Sequence, residues 1–81
     1  MDDKKKIQIQ SDTFLMLLDH LKNKTDLQNI DLMDLAGFCR NCIARWYKES
    51  ADKSGIDITT EEAKRFVYGM SYDKWKDKYQ K

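Results

Sequence analysis

The chain contains no proline and only three glycines, Gly37, Gly55 and Gly69. Proline and glycine are the residues that stop helices and shape turns. A chain so short of both is expected to fold into helices joined by tight connections. Ile7-Gln-Ile9-Gln alternates like a short strand, but no partner strand is visible for it. The expected fold is all-α: a compact bundle of four to five helices with short turns, in a single domain over residues 1–81.

At 81 residues such a domain buries only about 60–65% of the surface of its unfolded chain. It has no room for a deep cleft as a monomer, and pairing with a second copy would add buried surface. The longest apolar run, Phe14–Leu18, is five residues, against about 20 needed to span a bilayer. No apolar segment of signal-peptide length follows the opening Met-Asp-Asp-Lys-Lys-Lys. The expectation is a cytoplasmic protein with no membrane contact, in which cysteines stay reduced.

Net charge is +1, which gives no overall reason to bind nucleic acid. The charge is uneven. Residues 1–62 carry nine Lys or Arg against twelve Asp or Glu, and residues 63–81 carry six against two. A basic end of this kind is a solvated face or a contact for an acidic partner.

The first helix is expected from about Asp3 to Lys22, with Phe14, Leu17, Leu18 and Leu21 forming an apolar stripe that Ile7 extends. Thr25-Asp-Leu-Gln28 has the form of a capping box that starts one short helical turn. Asp31 reads as the N-cap of one long helix from Leu32 to about Lys53, with Ile30 and Leu35 as its hydrophobic staple and Gly55 just past its end. Ile56-Asp-Ile58 reads as an extended link. Thr59-Thr-Glu-Glu62 is a further capping box, opening a helix that Gly69 stops. Ser71 caps the last helix, to about Tyr79, with Met70 and Trp75 placed as a staple.

Cys39 and Cys42 are the only cysteines, and Arg40 and Asn41 stand between them. On one continuous helix at about 100° per residue, Cys39 falls in the apolar stripe with Leu32, Leu35, Ala36, Ile43 and Trp46. Cys42 falls on its shoulder, while Arg40 and Asn41 point away. Free cysteine packs as a small hydrophobe, so a buried pair is one reading. Zinc is a second. A closed zinc site takes four ligands, usually Cys and His, and the chain offers Cys39, Cys42 and its one histidine, His20. A redox pair is the third. If Gly37 breaks the helix, Cys39 falls in the first turn of a new one, where a thiolate is favoured. The unbroken apolar phase from Leu32 to Trp46 favours continuity. On the last helix Tyr72, Trp75 and Tyr79 recur at helical spacing among lysines, suited to a half-buried seam.

The stretch Gln28–Tyr47, "QNIDLMDLAGFCRNCIARWY", closely resembles the small, mainly bacterial helical proteins of the domain of unknown function 1244 family. "VYGMSYDKWK", Val67–Lys76, is similar to that family's C-terminal signature, and Asp19-His20-Leu21 to its first helix. The lysine-rich opening departs from the family's usual start. The resemblance implies a compact all-helical fold. Cys39, Cys42 and His20 match the family pattern, but no role comes with them.

The leading expectation is a non-catalytic binding or protein-interaction module, with no cofactor and with a homodimer or protein partner. Arg40, Asn41, Tyr72, Trp75 and Tyr79 are its candidate interaction surface. The alternative is a thiol site, zinc-binding or redox, built on Cys39, Cys42 and His20.

Overall fold

The structure, a computed structural model, describes residues 2–81; Met1 of the expected 1–81 domain lies outside them. Among the described residues there are five helices and no strand: α1 (Asp3–Lys22), α2 (Asn29–Ala36), α3 (Arg40–Lys53), α4 (Thr60–Tyr68) and α5 (Tyr72–Tyr79). α3 and α4 pack most closely, and α1 and α5 both lie against α4. Leu18 and Leu21 of α1, Ile43 and Ala44 of α3, and Ala63 and Val67 of α4 form the core. Phe14, Leu32, Phe38 and Phe66 close around it.

The starts of three helices follow their side chains. Asp2 accepts from the Lys5 N–H at 2.8 Å, Thr59 from the Glu62 N–H at 3.0 Å, and Ser71 from the Lys74 N–H at 3.3 Å. Each satisfies a backbone donor that the first turn of a helix leaves orphaned. Glu62 reaches back to the Thr59 hydroxyl at 3.3 Å. Gly55 has a left-handed φ of 74° just past the end of α3, as expected of a C′ residue.

The long helix expected from Leu32 to Lys53 is in fact two. Gly37 has φ 77° and its N–H bonds the Met33 carbonyl at 2.9 Å, ending α2. Phe38 and an extended Cys39 then lead into α3. The left-handed conformation that closes α2 costs glycine nothing and costs other residues roughly 1–2 kcal/mol. Gly37→Ala is therefore expected to lose about 1–2 kcal/mol in urea unfolding, although nothing crowds the position of the added methyl. α2 also begins earlier than expected, with Gln28 rather than Asp31 at its N-cap; Thr25 and Asp26 sit in a single turn closed by the Leu27 N–H on the Lys24 carbonyl at 3.1 Å, not in a helix capped by Thr25. The break moves the apolar phase. Leu35, expected in the stripe, is 85% exposed, and Trp46 is 47% exposed.

α1 reaches beyond the rest. A chain of this length folded evenly has a radius of gyration of about 12 Å; here it is 13.8 Å, with extents of 44 × 26 × 21 Å. From Asp2 to Thr13 every side chain of α1 and its cap is exposed, Ile7 and Ile9 among them. The stripe that Ile7 extends in the sequence thus meets the core only from Phe14 onward. No helix among the described residues is long and apolar enough to cross a membrane.

Candidate functional site

The break at Gly37 decides the geometry of the cysteines. Cys39 becomes the N-cap of α3, and Arg40, Asn41 and Cys42 follow as its first three residues. One turn of helix brings the Cys39 and Cys42 sulfurs to 3.8 Å, the two thiols in contact. Both are free cysteines; Cys39 is buried and Cys42 is partly exposed. The sequence placed Cys39 inside correctly but for the wrong reason. It is covered as a helix cap, not as a member of a continuous stripe.

Arg40 overturns its expected place on an interaction surface. It is only 2% exposed. As the first residue of a new helix it turns back beneath the α1–α2 connection. Its guanidinium donates to the carbonyls of Leu27 at 2.7 Å, Lys24 at 2.9 Å and Leu21 at 3.4 Å, and to Asn29 Oδ1 at 3.0 Å. The Trp75 ring covers it, 4.9 Å from guanidinium carbon to ring centroid. No carboxylate pairs with it among the described residues. Its compensation is the carbonyl-rich turn that follows α1: Lys24 and Leu27 lie in the connection, and Leu21, in the last turn of the helix, adds the longest bond near the negative end of the helix dipole. Burial lowers the guanidinium below its ordinary range, while Tyr68 and Cys39 act against that.

A chain of hydrogen bonds continues from Arg40. Asn29 Nδ2 donates to the Tyr68 hydroxyl at 3.0 Å, that hydroxyl donates to Asn41 Oδ1 at 2.7 Å, and Asn41 Nδ2 reaches the Tyr72 hydroxyl at 3.4 Å. Asn41 is therefore half-buried, and no buried side-chain nitrogen or oxygen among the described residues lacks a partner. Burial pushes the Tyr68 phenol well above its ordinary value of 10, with the hydrogen bond from Asn29 opposing. A raised value means that folding favours the protonated phenol. That contribution is complete below the unfolded value and is lost as pH rises past it. Chemical unfolding at increasing alkaline pH is expected to show stability falling from about pH 10, with Tyr68 ionising as the fold opens.

Trp75, the second expected surface residue that proves internal, is 3% exposed and packs between Tyr68 and Tyr79 at centroid distances of 5.1 and 5.9 Å. Tyr72 and Tyr79 are half-buried around it. Gln28 ties the chain's end down, donating to the Tyr79 carbonyl at 2.9 Å and accepting from the Lys81 N–H at 3.1 Å. The aromatic seam of α5 is thus a lid on Arg40.

His20 is exposed on α1. Among the described residues no group of three or more His, Cys, Asp or Glu is placed to hold a metal ion, so His20 does not join Cys39 and Cys42. The two thiols supply half of a tetrahedral set. Beside Cys42 opens a cavity of about 270 Å³ that Arg45, Lys48, Thr60 and Lys64 line. The sequence did not single out these cations, because they come from two helices whose pairing only the fold reveals.

What the arrangement offers chemically is a vicinal dithiol at the positive end of a helix, next to a buried cation. No curated protein matches the chain. The family model described as Protein of unknown function (DUF1244) matches residues 27–81. That segment holds α2 to α5, both cysteines, Arg40 and the aromatic lid, and leaves α1 outside. By that match, which spans most of its length, the chain belongs to the DUF1244 family.

Proposed function

We propose that this protein is a small dithiol module in which Cys39 and Cys42 pass between the free thiols and an intramolecular disulfide. The observation that carries this reading is the 3.8 Å contact of the two sulfurs across the first turn of α3. A disulfide needs about 2.05 Å between sulfurs, so closure asks for side-chain rotation rather than a new fold. The surroundings support it. Reactive cysteines occur at helix N-termini and near cations in partly exposed places, and here the first turn of α3 and the cation-lined cavity beside Cys42 provide both settings.

Mild oxidation of the metal-free, reduced chain is the test. The expected product is a monomer lighter by two hydrogens, with Cys39 and Cys42 joined on peptide mapping. Cys39→Ser and Cys42→Ser chains form no such product. Thiols that stay free, or that link only between chains, would sink the proposal. Stoichiometric zinc bound to the protein as purified would replace it with the zinc reading of the same pair.

A second reading, a binding module that pairs with its own copy, has its own observation. Phe14, Ile43, Trp46 and Tyr47 line an apolar groove of about 370 Å³, and α1 exposes Ile7, Ile9, Met16 and Leu17. Trp46 packs on Phe38 at 6.0 Å, yet half of it is open. Trp46→Ala is expected to cost about 1–2 kcal/mol in the monomer, since only half the side chain is removed from contact. Sedimentation equilibrium decides the pairing: a monomer at micromolar concentration would end it.

A further inference from the structure

The cavity beside Cys42 gives the dithiol a substrate class. We infer that it receives the anionic half of a small, carboxylate-bearing disulfide, which Cys42 attacks and Cys39 releases. This rests on the dithiol reading above.

Three observations carry it. Cys42 is the partly exposed sulfur and lines the cavity, whereas Cys39 is buried behind it. Arg45, Lys48 and Lys64 share the cavity wall with it, and no carboxylate does. The volume, about 270 Å³, lies just below the usual range of ligand pockets and suits part of a small molecule better than a protein loop. The cations are available. Arg45 and Lys48 meet Glu49 and Asp52 at 3.9 and 3.4 Å along the exposed surface of α3. Such pairs hold by only about 0.3–0.5 kcal/mol, so an incoming carboxylate competes with them. Lys64 rests on the Tyr72 ring at 4.4 Å and has no carboxylate partner among the described residues.

The exchange balances without another reagent. The Cys42 thiolate attacks one sulfur of R–S–S–R and forms a mixed disulfide. The first R–S⁻ leaves and takes up the proton that Cys42 gave up. Cys39 then loses its proton, attacks the Cys42 sulfur and expels the second R–S⁻, which is protonated in turn. The chain's two thiols are oxidised by two electrons and the substrate disulfide is reduced to two thiols. Two equivalents of a small thiol reverse the sequence.

The test uses the reduced full-length chain and three probes: oxidised glutathione, which is anionic, hydroxyethyl disulfide, which is neutral, and cystamine, which is cationic. The rate of Cys39–Cys42 closure is followed by acid quench and mass spectrometry. Each rate is divided by that of the same probe with an unstructured cysteine peptide. The normalised rate for the anion is expected to exceed that for the cation by about tenfold or more at low salt, and to lose most of that lead in 1 M salt. The double variant R45Q/K64Q should bring the ratio close to one, while K5Q, on the far end of α1, should leave it unchanged. Equal normalised rates in the natural chain would overturn the substrate class and leave the dithiol standing. Failure of all three probes to close the disulfide would overturn both.

Discussion

Arg40→Met is expected to lose about 3–5 kcal/mol of folding stability, measured by denaturant unfolding of the reduced protein. Methionine fills similar space but donates nothing. The Leu27 and Lys24 carbonyls and Asn29 Oδ1, part-buried where they meet Arg40, would lose their donor, at up to about 1–3 kcal/mol each, offset by relief from holding a charge out of water. Domains of this size hold roughly 4–12 kcal/mol in all, so the variant sits near the edge of folding. Arg40→Lys separates charge from geometry. Lysine keeps the cation, but its compact head cannot spread over four acceptors as the planar fork does. A loss of about 2–3 kcal/mol is expected for it; a neutral result would show that the charge alone matters.

Trp75→Ala should cost a comparable ~3–5 kcal/mol, because it removes a large buried side chain and opens a cavity. It also exposes the Arg40 guanidinium from above, where the ring sits 4.9 Å away. The two losses are therefore not independent. A double-mutant cycle of Arg40→Lys with Trp75→Phe, variants mild enough to fold, is expected to show a coupling of about 0.5–2 kcal/mol. Additive losses would mean that the ring and the cation merely lie near each other.

These two residues also show where reading the sequence stopped. Helix starts marked by Thr59 and Ser71 were legible, because a hydroxyl three residues before an orphan N–H is a local fact. α1 came out with its observed bounds from its apolar stripe, although its cap, Asp2, was not among the expected ones. Gly37 misled because apolar residues happened to keep phase across it. Glycine costs a helix interior only about 1 kcal/mol, so an apolar stripe in unbroken phase outweighs it locally. Once the helix was drawn unbroken, Arg40 pointed to solvent by construction. Its true partners were invisible in any case: three of the four acceptors are backbone carbonyls, and a carbonyl carries no residue type. The cysteine pair is distinctive in the sequence, yet the contact of its sulfurs depends on the break. The cation-lined cavity depends on which helices meet, and so escaped reading along the chain.

Cys39 caps the helix whose first turn holds Arg40 and Cys42, and in the proposed dithiol this would tie folding to oxidation in a single thermodynamic cycle. Whatever stability the disulfide adds to the folded chain must reappear as greater resistance of that disulfide to reduction than the same two cysteines show when unfolded. For a two-electron couple about 1.4 kcal/mol corresponds to about 30 mV. If the pair closes as proposed, Arg40, which packs behind the first turn of α3, would shift its reduction potential without touching the reacting atoms. A thiol pair so placed would report the state of the fold each time it is titrated.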